Sequence, residues 1–360
     1  MTRARPLRFI HVGTGGWGRR WSDTFLARLV MELGVAEPAA AVDTDARQLR
    51  HAQRGYGISA RRCYTDLRQA LAENRADFIV VAAPPAAHEA VIQLAVENGL
   101  HILCEKPLAD TMPATARIYH RVQRAGLKLA VTMSHRFDQD KQTLERLVRS
   151  GQYGPLSHLA GRLLVNSRRP GEWGFVPHGD VTHPLLIEAA THQFDIVRAL
   201  AASNARRVYA SSWRVGWTER DCDTTALALI EMENGVRALY EGSVSSAATR
   251  NGWQAEYWRA ECRDAILELD RRRLTATRGA PQDEPSVEEL PLDERPAWSN
   301  SWLAEWFVDW LSGGEPPSTT LEDNIHCQAL TMAAVESADS GQVVDVKAFL
   351  ERHLDEAGAS

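Results

Sequence analysis

The chain has 360 residues, of which 44% are hydrophobic and 24% charged, and its formal net charge is −6. This balance is typical of a globular protein and excludes disordered, collagen-like and coiled-coil chains. At about 100–200 residues per domain, the length predicts two domains or three. The charges form no basic stripe, so we expect no nucleic acid partner.

The sequence contains no apolar stretch long enough for a transmembrane helix, which needs about 18 residues. The apolar run at residues 9–12 is too short for a signal peptide and leads directly into glycines. The cysteines are odd in number, widely spaced and without a CxxC pair, which indicates free thiols in a reducing compartment. We therefore expect a cytoplasmic protein that does not bind membranes. The cysteines are Cys63, Cys104, Cys222, Cys262 and Cys327.

Short apolar runs alternate with helical patterns through the first 130 residues. Thr111 with Pro113 predicts a helix start, and Gly99 and Gly126 predict helix ends. Alternation of strands and helices predicts a parallel, doubly wound sheet. The predicted strands are residues 7–12, 39–42, 78–83 and 101–104, and the predicted helices cover residues 21–30, 90–98 and 111–126.

The second half has a different pattern, with strands on both sides of a hairpin signal at Asn234-Gly235. It predicts an α/β domain whose sheet is mainly antiparallel, interrupted by one helix at Pro184–Leu200. We predict a first domain at residues 1–130 and a second at residues 131–360. The further predicted elements are strands at 224–232, 236–243, 253–261, 266–269 and 274–277, helices at 302–311 and 321–337, and an exposed loop at 281–296.

Residues 13–18 (GTGGWG) form a G-x-G-x-x-G motif between a predicted strand and a predicted helix. In a dinucleotide-binding turn the glycines permit the tight turn, the approach of a pyrophosphate and close helix packing. Asp43 ends the second strand, where a carboxylate accepts ribose hydroxyls and repels a 2′-phosphate. This favours NAD, although Arg47 leaves NADP open. The alternative is a glycine-rich turn with a helix-capping Asp43.

Four further motifs occur in chain order: AAPPAAH at 82–88, EKP at 105–107, SHRF at 134–137 and SADSG followed by VV at 337–344. This ordered set resembles the Gfo/Idh/MocA oxidoreductases and covers the whole chain. The resemblance implies a Rossmann domain followed by an α/β domain with a large, mainly antiparallel open sheet. It also implies a homodimer or homotetramer formed through that sheet. The implied reaction is hydride transfer between NAD(P) and a hydroxyl or carbonyl carbon of a sugar, polyol or related molecule.

The family motif D-x-G-x-H-x-x-D is similar to residues 188–195. His192 and Asp195 match it, whereas Glu188 replaces the first Asp and Ala190 replaces the Gly. Positions 188, 192 and 195 share one face of a regular α-helix. We predict that His192 is the general acid/base, that Lys106 of the EKP motif stabilises the developing alkoxide, and that Glu188 is an auxiliary acid.

Two further sets of residues are predicted to bind ligands. For His88 the alternative is a helix start, for Arg136 an ion pair between the two domains, and for Asp195 a cap or support of the helix. The predicted cofactor-binding residues are Gly13, Gly15, Gly16, Trp17, Gly18, Asp43, Ala83, Pro84, His88, Glu105 and Lys106, and the predicted substrate-binding residues are Arg136, Trp173, His183 and Asp195.

Three alternative functions remain open. A metal centre would use His178, Asp180, His183, Glu188 and His192, but their spacing matches no HExxH-type pattern and we predict no metal. A lyase or glycosidase would use tightly bound NAD for transient oxidation. A non-catalytic regulator would bind the dinucleotide without needing an acid/base.

Overall fold

The fold is described from a computed structural model over residues 5–171 and 183–358. Contacts between Cα atoms divide these residues into two units, each with its own sheet. The first unit contains residues 5–134, 297–325 and 353–358, and the second contains residues 135–171, 183–296 and 326–352.

The sheet of the first unit is parallel, with the strand order β3-β2-β1-β4-β5-β6. This is the order of a Rossmann domain, and it reverses between β1 and β4, where such sheets bind ligands at the carboxyl ends of the strands. The predicted doubly wound sheet is confirmed. The strands are Leu7–Val12 (β1), Ala36–Val42 (β2), Cys63–Tyr64 (β3), Phe78–Val81 (β4), His101–Cys104 (β5) and Leu129–Val131 (β6).

Local signals set the helix ends as expected. The Thr111 hydroxyl accepts a hydrogen bond from the Ala114 amide, and Gly126 ends the same helix with a φ of 62°.

No helix of the described residues has both the length and the apolar surface needed to cross a bilayer. The α-helices are Gly16–Arg20 (α1), Arg50–Gly55 (α2), Leu67–Glu73 (α3), Pro85–Glu97 (α4), Met112–Ala125 (α5), Gln139–Arg149 (α6), Thr191–Ala201 (α7), Ser299–Leu311 (α8), Leu321–Ser340 (α9) and Val346–Gly358 (α10).

The core of the first unit includes a helix from late in the chain. Phe307 of α8 contacts Phe78 of β4 edge to face, with 5.6 Å between the ring centroids. Both rings are fully buried, and burying a Phe side chain contributes about 1.5–3 kcal/mol. The chain therefore returns to the first unit after residue 296. This differs from the predicted second domain at 131–360, because packing between residues far apart in sequence determines which unit α8 joins.

The second unit has a nine-stranded sheet in the order β14-β13-β12-β11-β7-β10-β9-β8-β15. Its neighbours are antiparallel except β7 and β10, so the predicted mainly antiparallel sheet is confirmed. The hairpin turns at Asn234-Gly235, as predicted. The strands are Leu156–Leu164 (β7), Ala205–Trp213 (β8), Thr225–Met232 (β9), Arg237–Ser243 (β10), Tyr257–Cys262 (β11), Ile266–Asp270 (β12), Arg273–Arg278 (β13), Ser286–Leu290 (β14) and Val344–Asp345 (β15).

Helix α7 packs on one face of this sheet, where Phe194 meets Tyr240 of β10 with 5.4 Å between the ring centroids. All residues of α7 are buried. Residues 281–296 are largely exposed, as expected, but the prediction of a loop is wrong in part because this segment contains strand β14. That strand carries mostly exposed polar side chains and is recognisable only by its pairing with β13.

Candidate active site

The glycine loop at residues 13–18 joins β1 to α1. Gly13 has a φ of 84°, and a Cβ atom there would lie 2.6 Å from the backbone of Ala82 and Ala83. A Cβ atom on Gly18 would overlap the carbonyl oxygen of Gly13. Only glycine fits these two positions, so no side chain from either one covers the loop backbone at the carboxyl ends of β1 and β4. This geometry fits the pyrophosphate of a dinucleotide.

The other residues of this loop have different surroundings. A Cβ atom on Gly15 would meet the flexible side chain of Gln48 at 2.9 Å, whereas one on Gly16 would have no neighbour within 4 Å. The indole of Trp17 is 54% exposed, yet its Nε1 donates a hydrogen bond to Glu105. The loop therefore presents an aromatic surface held by a buried acid.

Asp43 lies at the end of β2 and holds the glycine loop. Its Oδ2 accepts hydrogen bonds from the backbone amides of Thr14 at 2.8 Å and Gly15 at 3.0 Å. Its Oδ1 accepts one from the Asp45 amide at 3.0 Å. The guanidinium of Arg47 is bound to the Asp45 carboxylate at 2.9 Å. Sequence reasoning missed this loop-holding role of Asp43.

Glu105 is a buried acid directly after β5. Its Oε1 accepts hydrogen bonds from the indoles of Trp17 at 2.7 Å and Trp21 at 2.6 Å. Burial raises the pKa of Glu105, although these bonds and the charge of Lys106 partly oppose the shift. Glu105 thus fastens the first turns after the glycine loop to the end of β5, which is a positioning role for a predicted cofactor-binding residue.

His88 lies in the first turn of α4 and is fully buried. Its Nε2 lies 2.8 Å from the carbonyl oxygen of Ala83, and its Nδ1 lies 3.1 Å from that of Pro107. Burial lowers the pKa of His88, which favours the neutral ring. The ring therefore ties the end of β4 to the EKP segment, and its contact with nicotinamide stays a prediction.

Lys106 follows Glu105 at the carboxyl end of β5, and its peptide bond to Pro107 is cis. Ala83 and Pro84 follow β4, and the glycine loop follows β1. The carboxyl ends of parallel strands meet at one edge of a sheet. The predicted cofactor-binding residues of the first unit are thus brought to the same edge.

In the second unit, His192 lies in α7 and is stacked on His135. The two imidazole rings are 4.0 Å apart and tilted by only 11°. Trp253 meets both rings with its plane nearly perpendicular, at centroid distances of 5.0 Å to His135 and 5.6 Å to His192. Nδ1 of His135 lies 2.5 Å from Oε1 of Glu256. Sequence reasoning missed these neighbours of His192, since His135 is 57 residues away and no local pattern connects the two.

Arg136 and Asp195 bind each other. The guanidinium forms a bidentate ion pair with the carboxylate, with Nε 2.7 Å from Oδ2, and both side chains are buried. Arg198 lies 3.8 Å from the same carboxylate. This pair lies within the second unit and so is not the interdomain pair named as the alternative for Arg136. The substrate contacts of Arg136 and Asp195 stay predictions.

Glu188 lies in a π-helical turn, Leu185–Ala190, directly before α7. The shared-face prediction assumed regular α-helix geometry, which holds for His192 and Asp195 but not for Glu188. Such π turns occur often at functional sites. The role of Glu188 as an auxiliary acid stays a prediction.

His183 contacts two carboxylates. Its Nδ1 lies 2.8 Å from Asp223 and its Nε2 lies 2.9 Å from Asp339. These contacts link three segments of the second unit, and the substrate contact of His183 stays a prediction. Trp173, His178 and Asp180, which were predicted at the substrate or metal site, lie outside the described residues.

Comparison with known proteins identifies relatives along most of the chain. Residues 7–133 match the oxidoreductase family with an NAD-binding Rossmann fold, and residues 142–261 match the GFO/IDH/MocA C-terminal domain. The chain is 38% identical over 352 residues to the uncharacterized protein y4oX of Sinorhizobium fredii, covering 96% of this chain and 97% of that protein.

Two further comparisons concern a named enzyme and a solved structure. The chain is 27% identical over 327 residues to the D-apiose dehydrogenase of Paraburkholderia graminis, covering 88% of this chain and 85% of the enzyme. An oxidoreductase from Agrobacterium radiobacter, solved with NAD+, L-tartaric acid and magnesium, has the same fold. It matches with a TM-score of 0.79 at 21% identity and covers 95% of this chain and 99% of that chain.

The two family matches span more than half of the sequence and agree with the two units of the fold. The resemblance seen in the EKP and H-x-x-D segments is thereby confirmed. This chain belongs to the Gfo/Idh/MocA family of oxidoreductases and carries an NAD-binding Rossmann domain.

Proposed function

We propose that the protein is an NAD-dependent dehydrogenase acting on a CH–OH group of a sugar, polyol or related small molecule. The observation that carries the proposal is the position of Lys106 at the edge of the Rossmann sheet where the glycine loop also lies. A regulator would need that loop but no lysine beside it. The similarity to a D-apiose dehydrogenase supports a carbohydrate substrate.

Each candidate residue has a distinct role in this reaction. When bound, NAD(P) would supply the acceptor of the hydride in alcohol oxidation and its donor in carbonyl reduction. His192 accepts the hydroxyl proton during oxidation and returns it during reduction. The Lys106 ammonium stabilises the negative charge that develops on the substrate oxygen. Glu188 binds a neighbouring hydroxyl or orients His192.

A substrate panel tests this proposal. Sugars, inositols and sugar acids are supplied with NAD and with NADP separately, and the absorbance of the reduced nicotinamide is followed. We expect turnover with one substrate class, and a loss of about 100-fold or more in kcat/KM for Lys106→Met, the effect of removing one group that stabilises an oxyanion. No reduction with any substrate, despite tight NAD binding by calorimetry, would instead favour transient oxidation or a regulator.

Asp43 provides a prediction for cofactor choice. In Asp43→Asn the amide oxygen still accepts hydrogen bonds from the loop, but the negative charge is lost. We expect NAD to bind about tenfold more weakly and NADP to gain about tenfold relative to NAD, each corresponding to about 1.4 kcal/mol. Dissociation constants of both cofactors, measured by calorimetry, check this.

Asp66→Asn is the control, because Asp66 caps α3 and contacts the Arg68 amide rather than the glycine loop. It should leave the ratio of the two dissociation constants unchanged. An unchanged ratio in Asp43→Asn as well would contradict the proposed preference for NAD.

The outer face of β8, β9 and β10 carries apolar side chains that are between 38% and 57% exposed. Tyr209 pairs with Leu229, and Leu229 pairs with Leu239, so the exposed side chains are neighbours across three strands. Continuous apolar surface of this kind marks an interaction site. We infer that this face binds a second copy of the chain and forms a homodimer or part of a homotetramer. The face comprises Tyr209, Trp213, Leu227, Leu229 and Leu239.

Leu229→Arg tests this interface, since Leu229 is its most exposed member at 57%. A charge in an apolar interface costs several kcal/mol, so we expect the variant to be monomeric at concentrations where the wild type is a dimer or tetramer. Sedimentation velocity distinguishes the species. Met31→Arg is the control, because Met31 is exposed in the first unit. A variant that assembles like the wild type would place the interface elsewhere.

A further inference from the structure

A buried network of charged side chains contacts the His135 ring in the second unit. Glu256 is fully buried, and its two oxygens face different partners. Oε1 lies 2.5 Å from Nδ1 of His135, and Oε2 lies 2.8 Å from Nζ of Lys141. Lys141 in turn lies 3.5 Å from Asp138 and 3.3 Å from Asp140. The arrangement places a carboxylate between a lysine and a histidine.

The ionisation states of Glu256 and Lys141 in this network follow from their contacts. Burial by itself would raise the pKa of Glu256, but the attraction to Lys141 and His135 outweighs burial and holds the pKa well below its usual range. Burial by itself would lower the pKa of Lys141, but the nearby carboxylates outweigh it and raise the pKa. Glu256 is therefore an anion, and its Oε1 lies in ion-pair contact with Nδ1 of His135.

One face of the His135 ring is stacked on His192. Two protonated imidazoles 4.0 Å apart would repel each other, so protonation of one ring disfavours protonation of the other. Glu256 contacts the His135 ring, so its negative charge acts most strongly on that ring. The neutral form of His192 is the one that accepts a proton from an alcohol.

We propose that His135 is a positioning residue for His192: held by Glu256, it fixes the plane of the His192 imidazole and disfavours its protonation. This inference rests on the proposed role of His192 only where it concerns catalysis. The orientation and the protonation of the His192 ring can be measured without substrate or cofactor.

The other ionisable groups around the pair belong to several elements. Burial, together with the charge of Glu256, raises the pKa of Tyr240. Burial also raises the pKa of Asp138, which Lys141 opposes. The ionisable groups that belong to this network or lie around it come from five places in the fold. They are Asp138 before α6, Asp140 and Lys141 on α6, Asp195 on α7 with its partner Arg136, Tyr240 on β10, Glu256 before β11 and Arg272, whose Nη1 lies 4.0 Å from Asp140.

The test follows the protonation of His192 by NMR, using its ring Cε1–H resonance assigned by its absence in His192→Gln. In the wild type we expect half-protonation below about pH 6.5, the ordinary histidine value. His135→Phe keeps a flat ring but removes the partner of Glu256, so the midpoint should rise by about one pH unit. Adding Glu256→Gln to this variant removes the unpaired anion and should return the midpoint toward the wild-type value.

Trp253→Phe is the packing control, since Trp253 touches both rings without carrying a charge. We expect it to leave the midpoint unchanged. A wild-type midpoint at or above the ordinary value, or an equal shift in Trp253→Phe, would overturn the inference. The wild-type measurement needs no variant, so the inference remains testable if His135→Phe does not fold.

The acidic limb of the kcat/KM profile for alcohol oxidation separates this inference from the proposed function. If His192 is the base, the limb moves to higher pH in His135→Phe together with the NMR midpoint. If the midpoint moves and the limb does not, the positioning by His135 holds and the catalytic role of His192 fails. If neither moves, the positioning role is wrong.

Discussion

His192→Gln should lower kcat for alcohol oxidation by about 10²–10⁴-fold, the range that general acid–base catalysis contributes. Gln fills similar space but does not accept a proton, so the hydroxyl would lose its proton only to water. NAD binding, which depends on the first unit, should remain close to that of the wild type. Steady-state kinetics across pH, together with calorimetry of NAD binding, check both expectations.

The matched control is His120→Gln. His120 lies on α5 in the first unit, where its Nε2 contacts the carbonyl oxygen of Leu354 at 2.8 Å. Removing this imidazole should leave kcat within about twofold of the wild-type value, because it takes no part in the proton transfer. Near wild-type turnover of His192→Gln at every pH would refute the assignment of the base.

Arg136→Met should lower the free energy of unfolding by about 3–5 kcal/mol, the cost of leaving one charge of a buried ion pair without its partner. Asp195 is fully buried, and Arg198 approaches its carboxylate only at 3.8 Å. Urea unfolding followed by circular dichroism measures the change. The double variant Arg136→Met/Asp195→Leu removes both charges and should recover a large part of the loss.

Arg273→Met is the control for this measurement, because Arg273 pairs with Glu289 at 2.9 Å while both side chains are exposed. Exposed pairs contribute about 0–1 kcal/mol, so this variant should unfold close to the wild type. If Arg136→Met were as mild as Arg273→Met, the buried pair would not be the support for α7 that its geometry indicates.

The Rossmann unit was predictable because its signals are local. The strand at residues 7–12 agrees with β1, and Gly126 ends α5 as expected. The glycine pattern at 13–18 lies where the strand order predicts a ligand. In contrast, β14 has no apolar alternation of its own, and α8 joins the first unit only through distant contacts such as Phe307 with Phe78.

The sequence indicates individual candidate site residues, but not which residues they contact in the folded protein. The helical match at His192 and the EKP match at Lys106 identified positions, but not their neighbours. Arg136 and Asp195 are 59 residues apart, and only the folded chain shows that they bind each other. The contact of His135 with Glu256 joins residues 121 positions apart, which no local pattern in the sequence indicates.

Net hydride transfer to NAD determines the amount of reduced nicotinamide formed per enzyme, and this amount can be measured. The best alcohol of the panel is deuterated at its carbinol carbon and supplied in excess with excess NAD. We expect reduced cofactor that carries the deuterium, in an amount equal to the alcohol consumed and far above the enzyme concentration. Reduced nicotinamide that never exceeds one per enzyme, while alcohol is still consumed, would show transient oxidation instead of net hydride transfer.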